Sequence, residues 1–179
     1  MPPCERPFET AYWVVEGKLM AGPHPGGVFE PAPLNIAQLF FNCNIRHFVD
    51  LTDKGEYGPY IPAWEKVDGM EARDAFTYKQ FSITDFTVPV PELAKKVLDY
   101  IDSTISEGRG AVYVHCYAGV GRTGTIVGIF LARHGIAEGT GVALKIEELR
   151  ASTRKSQYYY GSPQSHAQFK MIKDWKRDE

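Results

Sequence analysis

The run His115-Cys116-Tyr117-Ala118-Gly119-Val120-Gly121-Arg122-Thr123-Gly124-Thr125 holds a cysteine and an arginine at the two ends of five small or apolar residues. A bare Cys-to-Arg spacing arises readily by chance, so its surroundings must carry the argument. Before it stands Ala111-Val112-Tyr113-Val114, a β-branched and aromatic run that reads as a buried strand. After Arg122 the chain is apolar almost all round until Gly135, which reads as a buried helix closed by a glycine. A strand, a glycine-rich turn and a helix start make an anion cradle, because unpaired N–H groups and the helix dipole meet there. Gly119, Gly121 and Gly124 let the backbone curl and approach an anion. Arg122 offers a planar fork for two phosphate oxygens. A thiol at such a helix start beside a guanidinium favours the nucleophilic thiolate. The expected chemistry is phosphoryl transfer to Cys116, with Thr123 placed to hydrogen-bond the sulfur as it leaves again.

His-Cys, five residues, then Arg-Thr-Gly resembles the signature loop of the cysteine-based protein tyrosine phosphatases. The short length and the stretch Asn44–Tyr57 resemble the compact dual-specificity branch, and the likeness covers roughly residues 12–175. It implies a metal-independent phosphatase with a phosphocysteine intermediate and no cofactor, acting on phosphotyrosine, with phosphoserine and phosphothreonine as further substrates. Two other readings stand beside it: a phosphatase of phosphoinositides or small phosphorylated molecules, and a phospho-binding module without turnover. Lipid-directed relatives often carry lysines inside the loop, whereas Tyr117, Ala118, Gly119, Val120 and Gly121 are all uncharged. These five, with Arg122, are the expected phosphate-binding residues.

Displacing an alkoxide or phenoxide needs a proton donor. Asp85, in Ser82-Ile83-Thr84-Asp85-Phe86, lies just after an expected strand and 31 residues before Cys116. The resemblance puts the general acid about there; no Trp-Pro precedes it, unlike the receptor-type pattern. Asp53 and Asp74 are the fallback acids. Gln164 and Gln168, read as one face of a last helix, resemble the glutamine pair that places the hydrolytic water in tyrosine-specific members. A pair of exposed amides is the competing reading. His115 is expected to point away from the pocket and brace the loop. Tyr158, Tyr159 and Tyr160 are candidates for an aromatic lip, and Arg150, Arg154 and Lys155 for guiding an acidic substrate; packing and a solvated basic face are the competing readings.

The rest of the chain must position these groups. Its 179 residues, 44% apolar and 23% charged, fit one phosphatase domain over 1–179 with a loose tail at 1–10. The expected fold is α/β, a central mainly parallel sheet of about four or five strands flanked by helices. Residues 12–22 read as a hairpin, 34–42 as a helix, 45–51 as a strand, and 52–76 as a long surface loop. A strand at 77–83 and a helix at 91–107 follow, then helices at 141–152 and from Ser162-Pro163 onward. A net charge of −2 gives no sign of a nucleic-acid partner. No apolar run or leader suggests a membrane span, so a cytoplasmic monomer is expected. Cys4, Cys43 and Cys116 show neither metal spacing nor a disulfide framework, and the five histidines are scattered. The strand length between Cys43 and the sheet end argues against their joining Cys116.

Overall fold

The computed structural model describes residues 4–64, 76–151, 153 and 161–179. Five strands form one sheet in the order β1-β2-β5-β3-β4. They are β1 Tyr12–Val15, β2 Leu19–Gly22, β3 Ile45–Asp50, β4 Thr77–Gln80 and β5 Ala111–His115. β1 and β2 make the expected antiparallel hairpin; the other pairings are parallel. β5 is therefore central. Its last residue, His115, stands in register with Gly22 of β2 and Asp50 of β3, and Asp50 with Gln80 of β4. The segments that leave these four strands emerge side by side along one sheet edge, where ligands of open α/β sheets bind.

Alternation along the strands gives each face its own core. Leu19, Ala21, Val49, Val112 and Val114 face one cluster with Leu98, Ile101, Val127, Ile129 and Ile172. These come from α2 Pro91–Glu107, α3 Gly121–Arg133 and α5 His166–Asp174; α4 Gly141–Arg150 adds Val142 and Ile146. Met20, Phe48, Ala111 and Tyr113 face the other cluster, covered by Phe40 of α1 Ile36–Asn42 and by Phe8, Tyr60 and Trp64. α2 runs as expected from Pro91 at its first turn to Gly108, which caps it at φ 69°.

Four expectations need correction. Residues 4–10 are not a loose tail: Phe8 is buried against Phe40, and Thr10 and Glu9 hydrogen-bond the Glu30 carboxylate. Cys4 and Cys43 are joined by a disulfide with Cα atoms 5.2 Å apart. Packing of the N-terminal segment over the end of α1 brings them together, and their separation of 39 residues gave no local sign of it. The described part of the 52–76 loop is not all surface, since Tyr60 and Trp64 are buried around a short 3₁₀ turn, Ile61–Trp64. The last helix starts at His166, not at Pro163. Ser165 caps it in a capping box with Gln168, while Ser162, before a cis Pro163, gives its hydroxyl to Val120 O. Among the described residues no helix is long and apolar enough to cross a membrane.

Candidate active site

Cys116 leaves the central strand and Arg122 enters the first turn of α3, so the signature run occupies the loop between them. Cys116 is a free, buried cysteine. α3 has no side-chain cap at Val120, which leaves its first N–H groups for a ligand. Gly119 adopts φ 71°, and a Cβ there would lie 2.3 Å from the Gly22 carbonyl carbon. The glycine is thus required both by conformation and by the close passage of the 22–24 segment. That segment also holds the loop from outside, His24 N donating to Tyr117 O at 2.9 Å. On the other flank, a Cβ on Gly124 would lie 2.1 Å from Ser162 Oγ.

Arg122 is completely buried. Its Nη1 and Nη2 donate to Glu56 Oε2 and Oε1 at 2.7 and 2.9 Å, and Nη1 also to Ile83 O at 3.0 Å. Burial works against the guanidinium charge, but Glu56, with Cys116 and Asp85 nearby, raises the Arg122 pKa above its ordinary value. In return, the Arg122 hydrogen bonds hold Glu56 below the usual carboxylate range. Glu56 was missed in the sequence, where it stands as one acid in a loop of mixed charge.

With its end-on edge taken by Glu56, Arg122 keeps its side edge, Nε–H and the second Nη2–H, for a phosphoryl group. Among the described residues Nε finds no hydrogen-bond acceptor. Asp85 Oδ1 lies 3.3 Å from it, close enough to count as an ion pair but not aligned as an acceptor. The misalignment leaves the Nε–H donor available. Asp85 is 47% exposed, and its Oδ1 accepts from the Phe86 N–H at 3.0 Å. The structure thus brings Asp85 to Arg122. Thr123 Oγ1 is buried and makes no hydrogen bond, so the expected bond to the sulfur is not formed in this state.

His115 points away from the loop's concave side. Nδ1 meets Cys116 O at 3.2 Å and Nε2 meets the Tyr60 hydroxyl at 2.7 Å. A carbonyl only accepts, so Nδ1 carries the proton and Tyr60 donates to Nε2. Burial pushes the His115 pKa down to about 4, against the opposing pull of Asp50. Neutral His115 is a pillar beneath Cys116.

Gln168 is fully buried. Its Oε1 accepts from the N–H groups of Gln164 and Ser165, and its Nε2 donates to Thr87 O at 3.1 Å. It ties α5 to the turn carrying Asp85 and is no exposed amide. Gln164 precedes the helix, so the expected shared helical face does not exist. Its Oε1 nonetheless borders the loop, 2.5 Å from where a Cβ on Gly121 would lie. Asp53 lies in the Glu56 turn, where its N–H donates to Glu56 Oε2 at 2.8 Å. Asp74, Arg154, Lys155, Tyr158, Tyr159 and Tyr160 lie outside the described residues.

Among the described residues one trio, His24, Asp50 and His115, brings possible metal donors within 4.8 Å of one another. The trio fits a metal poorly. Asp50 already accepts from the Thr52 N–H, the Thr52 hydroxyl and the Tyr78 hydroxyl, and both His115 nitrogens are engaged.

The site thus gathers a cysteine at the end of β5, an anion cradle at the start of α3, an arginine clamped by Glu56, and Asp85 from the loop after β4. Residues 33–136, more than half of the chain, match the family described as polymorphic toxin system, DSP-PTPase phosphatase (Tc-R-P). The chain belongs to this family. The matched stretch holds Glu56, Asp85, Cys116 and Arg122 and ends before Gln164 and Gln168. The dual specificity protein phosphatase CDC14AB of Danio rerio is 32% identical over 126 residues, 68% of this chain and 19% of that protein. The chain thus spans about a fifth of the length of that relative. Two solved structures share the fold. Tk-PTP in its active form has a TM-score of 0.64 at 20% identity, covering 93% of this chain and 96% of the other. PTPMT1 in complex with PI(5)P has a TM-score of 0.64 at 16% identity, covering 93% and 94%.

Proposed function

We propose that the protein is a metal-independent phosphomonoester hydrolase that removes phosphate from phosphotyrosine, and from phosphoserine or phosphothreonine, in proteins or peptides. The observation that carries this reading is Arg122, whose buried Nε faces Asp85 without a hydrogen bond while Glu56 holds its end-on edge. A phosphoryl group on the Nε edge sits at the start of α3, within the loop that Cys116 opens.

In the first step the Cys116 thiolate attacks phosphorus. The S–P bond forms, the P–O bond to the leaving group breaks, and Asp85 gives its proton to the departing oxygen. Arg122 and the loop N–H groups stabilise the charge on the remaining oxygens. In the second step water attacks the phosphocysteine and gives a proton to the Asp85 carboxylate. Inorganic phosphate leaves and the thiolate returns. Thr123 is the group placed to donate to the departing sulfur, and Gln164, bordering the loop, is the amide left to orient the water. A cysteine nucleophile is best kept in a reducing cytoplasm, where Cys4 and Cys43 would be thiols; the reading takes the protein to act there as a monomer.

The test is phosphate release from an aryl phosphate, a phosphotyrosine peptide, a phosphoserine peptide and phosphoinositides, by the native protein and by Cys116→Ser. Turnover in the native protein and none in Cys116→Ser, with tungstate still bound, is the expected result. Binding without turnover by the native protein makes it a phospho-recognition module. Turnover of phosphoinositides alone makes it a lipid phosphatase. Activity lost to chelators and restored by zinc or magnesium would overturn the metal-independent step.

A further inference from the structure

Three carbonyls of the signature loop are held from outside it. Cys116 O meets His115 Nδ1 at 3.2 Å, Tyr117 O accepts from the His24 N–H at 2.9 Å, and Val120 O accepts from the Ser162 hydroxyl at 2.7 Å. The peptide bonds that follow these carbonyls are trans. In a planar trans peptide the C=O and the next N–H point in opposite directions. The N–H groups of Tyr117, Ala118 and Gly121 are therefore turned away from the three outside donors. Among the described residues none of these three N–H groups gives a hydrogen bond. They remain for an anion at the start of α3.

Of the three outside donors, Ser162 comes from the segment ahead of α5 and is only 1% exposed. Its own backbone N–H is anchored on Glu147 Oε1 of α4 at 3.2 Å, and Glu147 is paired with Arg150 at 3.3 Å. The hydroxyl reaches Val120 across Gly124, where a Cβ would lie 2.1 Å from Ser162 Oγ. Val120 O also accepts from the Gly124 N–H at 3.0 Å. Both lone pairs of this carbonyl are thus used. The peptide between Val120 and Gly121 cannot rotate without breaking one hydrogen bond of α3 and one to a fixed neighbour.

On the reading of the site as a phosphatase, we propose that Ser162 is a positioning residue for the phosphoryl group. Through Val120 O it fixes the tilt of the 120–121 peptide and so directs the Gly121 N–H at the anion. Ser162 touches no reacting atom, and its effect reaches the site through one peptide plane. A donor set in place before the substrate arrives costs no reorganisation as charge develops on the phosphoryl oxygens. Without the hydroxyl, Val120 O keeps the Gly124 bond alone. The peptide can then swing at the helix start, and the Gly121 N–H loses its direction.

The experiment compares the native protein, Ser162→Ala and Thr104→Val at a temperature where each is fully folded. Thr104→Val is the control for loss of a buried hydrogen bond, because the Thr104 hydroxyl donates to Tyr100 O within α2 at 2.7 Å. Ser162→Ala should weaken tungstate binding by about threefold to tenfold, the size of one hydrogen bond. It should lower kcat/KM by about the same factor on a phosphotyrosine and a phosphoserine peptide, since the phosphoryl group is common to both. Thr104→Val should lose stability and change neither quantity. A Ser162→Ala protein that is merely less stable, with native tungstate affinity and kcat/KM, overturns the proposal. An equal loss of tungstate affinity in Thr104→Val overturns it too. Should Ser162→Ala fail to fold, amide NMR of the native protein decides. The Gly121 amide proton should move downfield on binding tungstate, and that of Gly124, already given to Val120 O, should move far less. An unmoved Gly121 amide overturns the proposal. The tungstate readouts need no turnover. A native protein that binds tungstate but hydrolyses neither peptide refutes the phosphatase reading, and the role of Ser162 is then decided by anion affinity and the Gly121 amide.

Discussion

Glu56 and Arg122 are joined by two parallel hydrogen bonds, at 2.7 and 2.9 Å, although 66 residues separate them. Glu56 is only 22% exposed and Arg122 is fully buried, so this pair fixes which edge of the guanidinium a ligand can use. Glu56→Gln keeps one acceptor oxygen and loses the charge. It should lower kcat/KM on an aryl phosphate by on the order of ten to a hundredfold, with the larger part in the rate of phosphocysteine formation. Single-turnover kinetics measure this. An unchanged rate would show that Arg122 needs no clamp. The pH dependence follows from the depressed Glu56 pKa. The pair stabilises the fold above the range where an unfolded glutamate titrates, and that share is lost as pH falls through the lower folded value.

His115 gives a second stability prediction with the same direction but another window. Its folded pKa is about 4, and Asp50, His24, Tyr60, Tyr113 and Arg122 are among the titratable or charged groups around it. The folded protein keeps His115 neutral, while the unfolded chain binds a proton near pH ~6.5. The unfolded state therefore holds more protons between those values. Stability is full above the unfolded pKa and falls as the pH drops toward 4, by roughly 3 kcal/mol for this one group. His115→Asn should flatten that part of the curve in urea unfolding measured from pH 4 to 7. An equally steep curve in the variant assigns the loss to other groups.

Local chemistry made much of this legible. Pro91 and Gly108 mark the ends of α2, Ala111–Val114 is the central strand, and the glycines around Cys116 mark the turn. The sequence places the start of α5 at Ser162-Pro163, although the structure caps the helix at Ser165 in a capping box with Gln168. What decides between them is tertiary: the Ser162 hydroxyl is already given to Val120 O. The other omissions are also long-range. The Cys4–Cys43 disulfide ties the N-terminal segment to the end of α1, and the Glu56 clamp ties the loop after β3 to the start of α3; neither leaves a periodicity or a spacing. Asp85 reads as the acid from its place after a strand and from the family resemblance, which puts the acid about 31 residues before the cysteine.

Arg122→Lys replaces a planar fork by a point charge that cannot serve Glu56 and a phosphoryl group at once. Turnover of a phosphotyrosine peptide should fall by on the order of a thousandfold, about 4 kcal/mol of transition-state stabilisation. A change under about tenfold would mean the fork is not engaged in the rate-limiting step.

Gln168→Leu removes the acceptor of two N–H groups at the start of α5 and the donor to Thr87 O. Unfolding free energy should drop by about 1–3 kcal/mol, because buried polar partners are left unpaired. The Asp85 turn loses its tie, so the first chemical step should slow. A burst of leaving group followed by slow turnover would instead show that hydrolysis of the phosphocysteine is impaired and that Gln168 handles the water.

Asp85→Asn tests the proton donor. The substitution keeps the size of the side chain and its acceptor for the Phe86 N–H, but it cannot protonate a leaving oxygen. An acid matters only as far as the leaving group needs its proton. Hydrolysis of phosphotyrosine should therefore slow by roughly a hundredfold or more, while an aryl phosphate with a strongly acidic phenol should slow much less. Plotted against leaving-group pKa, log rate should be nearly flat for the native protein and steep for Asp85→Asn. Equal slopes for the two proteins would remove Asp85 from the acid role. Asp53, in the turn that carries Glu56, would then be the next carboxylate to replace.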